Sequence, residues 1–275
     1  MGLFRKSRDP EPPPARDLLD YASLMQRAEN GTKAYQSNAP FPNALLENFL
    51  PDATLRHVID EFPRPDQGVR WNQIKVSTDD GKAAQHNKLH VMDEASFGPY
   101  TRQLFWELNS SRFIRFLERL TGIQKLLPDP HLRGGGLHQI LPGGMLRVHA
   151  DFNKHPALDL DRRLNVLIYL NRDWRESYGG HIELWDPDMT RCRARHLPVA
   201  NRCLIFNTTS VSFHGHPHPL TCPDGMTRKS IAMYYYTLGR PETEAQPKHK
   251  TLWQDLPEET ATQRVDASDS ETAAQ

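Results

Sequence analysis

The pattern of apolar residues changes at Gly122, and this change constrains the fold more than any other feature of the chain. Before it, apolar residues recur at helical spacing in four segments, at about 15–28, 51–62, 100–108 and 113–120. After it, short apolar runs of strand length alternate with turns rich in glycine and proline. Helices followed by strands predict an α+β protein in which the β-structure forms the core.

Glycine and proline residues predict where the helices begin and end. Gly31 is placed to end the first helix, Pro51 and Pro63 bound the second, and Gly122 ends the last. Strands are expected at residues 164–170, 181–185, 203–206 and 231–236. Several short strands at this spacing favour an antiparallel sandwich or jelly roll.

Composition divides the chain into four parts. Residues 1–15 are basic and proline-rich, which is typical of a disordered tail. Residues 16–125 form a helical flank that supports the core, and residues 126–240 form the β domain. Residues 241–275 are polar and acidic and predict a flexible C-terminal tail, in which Trp253 is an apolar exception that could dock onto the body.

Charge and cysteine content limit the expected partners and location. The chain has 34 basic and 34 acidic residues, so no long-range field concentrates nucleic acid or an anionic membrane around it. No apolar run reaches the ~18 residues of a membrane helix. The widely spaced Cys192, Cys203 and Cys222 suit a reducing compartment. We expect a cytoplasmic protein with no nucleic-acid or membrane partner; the oligomeric state stays open.

A histidine and an aspartate separated by one residue form the first candidate site. A strand sends residues i and i+2 to the same face, so His149 and Asp151 point together from the end of one strand. A later cluster offers His214, His216 and His218 as partners. Two imidazoles and one carboxylate on one face of a metal leave its other positions open, as in non-haem Fe(II) oxygenases. We favour His214 as the third ligand because it follows a strand-like alternation, and His216 stays the alternative.

An arginine at the start of the last strand forms the second candidate site. An iron site of this kind needs a two-electron donor, usually 2-oxoglutarate, whose far carboxylate must be neutralised in a dry pocket. Arg228 and Ser230 share one face of the strand, and Lys229 is expected to face away. A guanidinium pairs a carboxylate through two charge-assisted hydrogen bonds. A surface arginine at a strand start is the alternative interpretation.

These motifs together carry a resemblance to a known family. From about residue 129 to 237 the chain resembles the 2-oxoglutarate- and Fe(II)-dependent oxygenases of the prolyl 4-hydroxylase-like superfamily. The matching pieces, in chain order, are Pro142-Gly143-Gly144, His149-x-Asp151, Arg163-Leu164-Asn165, Tyr169-Leu170-Asn171, Asp173-Trp174, Gly179-Gly180, residues 182–185, Leu204-Ile205-Phe206, His214-Gly215 and Arg228-x-Ser230. The resemblance implies a double-stranded β-helix, the jelly-roll form that the strand pattern predicts.

The resemblance also implies the cofactors and the residues that hold them. Fe(II), 2-oxoglutarate and O2 are the expected cofactors. The metal would be held by His149, Asp151 and His214, and the 2-oxoglutarate by Arg228, Ser230 and Tyr169. Related iron halogenases replace the carboxylate ligand with a small residue. Because Asp151 retains it, the resemblance favours a hydroxylase that releases succinate and CO2.

One departure concerns the cosubstrate pocket, and the substrate itself is left open. Many relatives carry a tyrosine shortly before the Pro-Gly turn, where this chain has Ile140. A contact at that position is missing or is supplied by Gln139 or His138. Candidate substrate contacts are Asn153, His155, His138 and Trp174. Both a small molecule and a peptidyl, prolyl-like residue fit the pattern.

Two other functions compete with the hydroxylase. The first is a non-catalytic jelly roll that binds metal or 2-oxoglutarate as a sensor or scaffold, against which the retained Asp151 and Arg228 argue. The second is a zinc hydrolase built on the same three ligands, which would act without consuming oxygen.

Overall fold

The structure, a computed structural model, describes residues 17–66, 69–73, 76–78 and 81–257; the expected tail at 1–15 lies outside them. The described α-helices are α1 (Tyr21–Ser37), α2 (Asp52–Asp60), α3 (Pro99–Leu108) and α4 (Ser111–Thr121). The described strands are β1 (Asn43–Leu46), β2 (Val76–Ser77), β3 (Ala83–Val91), β4 (Leu127–Pro128), β5 (Gly136–Ala150), β6 (Asp161–Tyr169), β7 (Ile182–Trp185), β8 (Cys192–His196), β9 (Cys203–Asn207), β10 (His214–His216), β11 (Arg228–Thr237) and β12 (Leu252–Trp253). Within these ranges, no helix combines the length and apolar character needed to cross a bilayer.

The strands form one curled antiparallel sheet, which confirms the predicted jelly roll. Its main order is β1-β9-β6-β11-β5-β10-β7-β8, and β3 and β12 also pair with β5. Along one edge of β5, β11 pairs with the first part of the strand and β10 with the last part, while the opposite edge pairs with β3 and then β12. Because β5 changes partners along its length, the sheet folds back on itself as a double-stranded β-helix.

The change of partners on β5 coincides with its glycine pair. Gly143 has a φ of +71°, a left-handed conformation that favours glycine. At Gly144, a Cβ atom would lie 2.8 Å from the carbonyl oxygen of Leu141 and 2.9 Å from that of His86. Both contacts are to backbone atoms, which cannot move aside as a flexible side chain can. Glycine is therefore required where β5 turns from one half of the sheet to the other.

Strand alternation separates the packing residues from the polar ones. In β6, Val166 and Ile168 are fully buried in the apolar core shared with the helices. Asn165 and Tyr169 occupy the intervening positions and face a cavity inside the curled sheet. Because side chains alternate in direction along a strand, Val166 and Ile168 face outward beneath the helices, and Asn165 and Tyr169 face the cavity.

The helical flank agrees with the prediction at its end and differs at its start. Gly122 ends α4 in the left-handed conformation with its N–H bonded to the carbonyl of Glu118, as predicted. The predicted end of α1 at Gly31 is wrong, since the helix continues to Ser37. A helical glycine costs about 1 kcal/mol relative to alanine. Burial of Tyr35 one turn later, with its hydroxyl donating to Asn207 Oδ1 at 2.6 Å, offsets that cost.

The flank is not purely helical, because β3 lies within it. The sequence reads Ala-Ala-Gln-His-Asn-Lys-Leu-His-Val and shows no apolar alternation, so no strand was predicted there. Its Lys88 side chain lines the cavity instead of packing in a core. The strand is specified by its pairing with β5, which is a tertiary interaction.

The predicted flexible tail from residue 241 needs correction for the part that is described. β12 pairs Leu252 with Ala150 and Trp253 with His149. The ring centroid of Trp253 lies 4.9 Å from that of His149. The side chain of Asn153 donates a hydrogen bond to the carbonyl of Pro247 at 2.8 Å. Residues 241–257 therefore lie against the end of β5; residues 258–275 are outside the described ranges.

A buried asparagine links the helical flank to the sheet, and its removal should destabilise the fold. Asn201 has a φ of +68°, and its amide accepts from the Leu50 N–H at 2.7 Å and donates to the Leu50 carbonyl at 2.9 Å. We expect Asn201→Ala to lower the free energy of unfolding by roughly 3 kcal/mol, from two lost buried hydrogen bonds and a disfavoured backbone conformation. Urea unfolding measures this change.

Asn48 provides the matched control, because it has a φ of 50° and an exposed side chain. Asn48→Ala should cost about 1 kcal/mol, the backbone contribution alone. Equal losses in the two variants would show that the hydrogen bonds to Leu50 contribute no stability.

Candidate active site

A cavity of about 80 Å³ lies inside the curled sheet and contains most of the predicted site residues. Its apolar wall is formed by Ile140, Leu146, Leu167 and Ile182. Its polar lining is formed by Lys88, His138, His149, Asp151, Asn165, Tyr169, His214, His216, Arg228, Ser230 and Tyr234. The strands that contribute these residues are neighbours in the sheet, so inward-facing positions that are distant in sequence converge here.

Three of the polar groups form a candidate metal site. His149 and Asp151 come from the end of β5, and the β5–β10 register places His214 directly opposite His149. One ligand atom from each residue lies within 4.8 Å of the others. His149 Nε2 is 3.6 Å from Asp151 Oδ1, and His214 Nε2 is 3.5 Å from Asp151 Oδ2. The arrangement is that of two imidazoles and one carboxylate facing one point.

Backbone carbonyls orient both imidazoles for coordination. His149 Nδ1 is 2.8 Å from the carbonyl oxygen of Arg147, and His214 Nδ1 is 2.9 Å from that of Ser212. A carbonyl only accepts, so each Nδ1 carries a proton, and in the neutral imidazole it is Nε2 that holds the free lone pair. Burial lowers the pKa of His214 to about 4, which keeps this imidazole neutral at neutral pH. Neutral imidazole is the form that binds metals.

The carboxylate of Asp151 is held ionised by its neighbours. Burial alone would raise its pKa, but the Arg162 guanidinium and the two imidazoles hold the pKa of Asp151 well below its usual range. Arg162 Nη2 is 2.9 Å from Asp151 Oδ2, and Asn165 Nδ2 donates to the same oxygen at 2.8 Å. The Arg162 guanidinium carbon lies 3.5 Å from the ring centroid of Tyr234. The roles of Arg162 and Asn165 were not predicted, although the alternation of β6 indicates that Asn165 faces inward.

The structure distinguishes the candidate histidines of the second cluster. His214 joins the three-residue group, whereas His216 lines the cavity without joining it. Neither ring nitrogen of His216 has a hydrogen-bond partner among the described residues. His218 is exposed and does not line the cavity.

Arg228 is buried at the other side of the cavity without a carboxylate partner. Its Nε donates to the Gly180 carbonyl at 2.7 Å, and its guanidinium carbon lies 5.1 Å from the centroid of the Tyr169 ring. Ser230 pairs with Tyr169 in the β11–β6 register, so the two share this wall. Within the described part of the chain, no acidic side chain forms an ion pair with Arg228. A buried guanidinium is costly unless an anion compensates it, so the cavity suits an anionic ligand.

The glycine at position 180 leaves room for the Arg228 side chain. At Gly180, which has a φ of +71°, a Cβ atom would lie 3.0 Å from Arg228 Cδ and 2.6 Å from a methyl carbon of Leu220. Any larger residue there would displace the guanidinium. Lys229 faces the opposite side of the sheet, with Nζ 5.9 Å from the ring centroid of Phe62, as predicted.

The surroundings of Ile140 distinguish the two residues that were expected to supply the missing contact. Ile140 lines the cavity, but the Gln139 side chain turns away and accepts a hydrogen bond from the Thr227 hydroxyl at 3.0 Å. His138 does reach the cavity. Lys88, opposite Ile140 in the β3–β5 register, reaches it as well. Lys88 was missed because β3 was not predicted as a strand.

Of the four candidate substrate contacts, the structure brings only His138 to the cavity. Asn153 is buried and binds the C-terminal segment. His155 is buried with Nε2 3.6 Å from a carboxylate oxygen of Asp129. Trp174 packs in an apolar cluster with Ile140, Leu220 and Cys222. Asn153, His155 and Trp174 lie outside the strands and do not line the cavity, so polarity and position in the sequence alone did not indicate their direction.

Comparison with known proteins agrees with this geometry. Residues 135–236 match the family model described as the 2OG-Fe(II) oxygenase superfamily. A prolyl hydroxylase from Trichoplax adhaerens, solved with a hypoxia inducible factor peptide fragment, is 16% identical, covering 78% of this chain and 91% of that one, with a TM-score of 0.56. A Pseudomonas putida prolyl-4-hydroxylase is also 16% identical, covering 80% of this chain and 100% of that one, with a TM-score of 0.50.

A third solved structure has a different ligand. HygX from Streptomyces hygroscopicus, with nickel, 2-oxoglutarate and hygromycin B bound, is 11% identical, covering 84% of this chain and 98% of that one, with a TM-score of 0.51. At these identities the solved structures establish the shared fold. The segment matched by the family contains the candidate metal ligands and Arg228. Residues 135–236 of this chain therefore match the 2-oxoglutarate- and Fe(II)-dependent oxygenases, and the chain shares the fold of the solved structures compared above.

Proposed function

We propose that this enzyme hydroxylates an aliphatic C–H bond of a small molecule or of a peptidyl, prolyl-like residue and converts 2-oxoglutarate to succinate and CO2. One observation carries the proposal. The group of His149, Asp151 and His214 shares a small cavity with Arg228, a buried cation that has no anionic partner among the described residues. A metal site beside a carboxylate site is the combination that this reaction requires.

The donor set fits Fe(II). His149, Asp151 and His214 would hold the ion through two neutral imidazoles and one ionised carboxylate, leaving the remaining positions for exchangeable ligands. When bound, Fe(II) supplies the activation of oxygen that the reaction needs. Arg162 and Asn165 act on this site by holding one oxygen of Asp151, which keeps the carboxylate ionised and in one orientation.

The opposite wall fits the far carboxylate of 2-oxoglutarate. Arg228 would pair with it, and Ser230 and Tyr169 would complete the polar contacts. The apolar wall around Leu146 and Leu167 would exclude water from the space between the two sites.

The substrate classes and the location are proposed from the comparisons and from the cysteines. The Trichoplax prolyl hydroxylase was solved with a peptide and HygX with a small molecule, so the shared fold supports both substrate classes. Three free cysteines, Cys192, Cys203 and Cys222, support a reducing location such as the cytoplasm.

The metal ligands can be tested before any substrate is known. Anaerobic addition of Fe(II) and 2-oxoglutarate should produce a weak visible charge-transfer band in the wild-type protein. We expect His214→Ala to abolish the band, because it removes a ligand, and the matched His216→Ala to retain it, because His216 stands outside the ligand group. Loss of the band only in His216→Ala would reassign the third ligand.

The cosubstrate site has its own test. Arg228→Gln should raise the KM for 2-oxoglutarate by about 100-fold, because a charged hydrogen-bonded pair worth roughly 3 kcal/mol is lost. Succinate formation at increasing 2-oxoglutarate concentration measures the change. Arg115→Gln, at an exposed position of α4, is the matched control and should leave KM unchanged. An unchanged KM in Arg228→Gln would remove Arg228 from the cosubstrate site.

The reaction itself is tested by screening amino acids, peptides and small metabolites for stimulation of succinate release, with Arg228→Gln as the blank. A hydroxylase should convert at least one of them to a product heavier by one oxygen atom. Tight 2-oxoglutarate binding with no succinate under oxygen in any mixture would instead favour a non-catalytic sensor.

A further inference from the structure

A second pocket adjoins the metal cavity and shares two lining residues with it. We call it the mouth pocket; it has a volume of about 250 Å³ and includes Lys88, His90, Met92, Arg133, His138 and Phe152 in its lining. Lys88 and His138 line both this pocket and the metal cavity. The two spaces are therefore adjacent, and a ligand in the mouth pocket lies next to the proposed metal site.

The mouth pocket has positive charge and no compensating acid. Lys88 and Arg133 are its charged residues, and no carboxylate lines it within the described ranges. Neither side chain makes a hydrogen bond or an ion pair with another described residue. Asp151, in the adjoining cavity, is already bonded to Arg162 and Asn165. The cations of the mouth pocket are thus available to an external anion.

The strand register separates Lys88 from the 2-oxoglutarate site. Ile140 pairs with Lys88 on one edge of β5 and with Arg228 on the other. Two strand spacings put the backbones of the two cations about 10 Å apart. Both side chains line the metal cavity, but only Lys88 also lines the mouth pocket, so Arg228 can bind the far carboxylate of 2-oxoglutarate while Lys88 binds a separate anion in the mouth pocket.

Desolvation makes Lys88 receptive to such an anion. Burial lowers the pKa of Lys88 to about 8, although the charge of Asp151 opposes this shift. Burial also lowers the pKa of His90 and of His138, so both are neutral hydrogen-bonding groups at neutral pH. An anion placed beside the ammonium would replace the solvation that the protein has removed.

We propose that the substrate carries a carboxylate or phosphate group and that the mouth pocket binds this group through Lys88, assisted by Arg133. The apolar faces of Met92 and Phe152 would contact the neighbouring part of the substrate. This inference rests on the proposed function, because it assigns the substrate of the same site. It makes Lys88 the residue that selects anionic substrates over neutral ones.

The experiment uses full-length protein loaded with Zn(II) and N-oxalylglycine, an unreactive 2-oxoglutarate analogue that keeps other carboxylates out of the Arg228 site. The probes are N-acetylglycine, its neutral amide and methyl phosphate, and ligand-observed NMR measures their Kd values. We expect at least one anion to bind about tenfold more tightly than the amide, as one charged hydrogen bond predicts. The stronger of the two anions identifies the preferred group.

Four variants locate the binding site. Lys88→Met should remove the preference for the anion, and Lys88→Arg should keep most of it. Arg133 is exposed, so Arg133→Gln should leave the fold intact. This variant should weaken anion binding two- to fivefold. Lys33→Met, the same substitution at an exposed lysine of α1, should behave as wild type.

Three outcomes would overturn the inference. In the first, the wild-type protein binds the anion and the amide equally well. In the second, Lys88→Met keeps the preference for the anion unchanged. In the third, Lys88→Met loses affinity for N-oxalylglycine and keeps the preference for the anion. The last would place Lys88 in the cosubstrate site. Calorimetry of Zn(II) and N-oxalylglycine binding precedes the probes, so a failure of the proposed function itself would be seen at that step.

Discussion

The buried ion pair between Asp151 and Arg162 is the interaction on which the rest of the site depends. Two charges inside a protein are stable only when each is paired and hydrogen-bonded. Arg162 meets this need by contacting Asp151 and Asn165 through its nitrogen atoms and Tyr234 through its flat face. The pair therefore joins the end of β5 to β6 and β11. It also holds the Asp151 carboxylate in an orientation in which Oδ1 lies 3.6 Å from His149 Nε2 and Oδ2 lies 3.5 Å from His214 Nε2.

The same strand, β5, connects the parts of the reaction centre. Its last residues place His149 opposite His214, and its first part brings Ile140 between Lys88 and Arg228. The candidate metal site, the proposed cosubstrate site and the proposed substrate site are thus arranged along and across one strand. A distortion of β5 would change the distances among all three, which explains the close-packed glycines at its turn and the C-terminal strand beside its end.

Local patterns in the sequence predicted the features that depend on local geometry. The end of α4 at Gly122 followed from the need for a left-handed residue, and the shared face of His149 and Asp151 followed from the period of two in a strand. The opposite directions of Arg228 and Lys229 followed for the same reason. The extension of α1 beyond Gly31 was not predicted. The burial that offsets the free-energy cost of a helical glycine depends on contacts with other elements, which the local sequence does not show.

The sequence by itself determined which functional groups the chain carries. A carboxylate and imidazoles are suited to bind a metal, and an inward-facing arginine is suited to bind an anion. The tertiary structure decided which groups share the cavity. It grouped His214, and not His216, with Asp151, and it brought Lys88 to the cavity on an unpredicted strand. It also placed Trp253 against His149. The physical reason is that side-chain direction within a strand repeats locally, whereas the pairing and register of strands depend on partners that are distant in sequence.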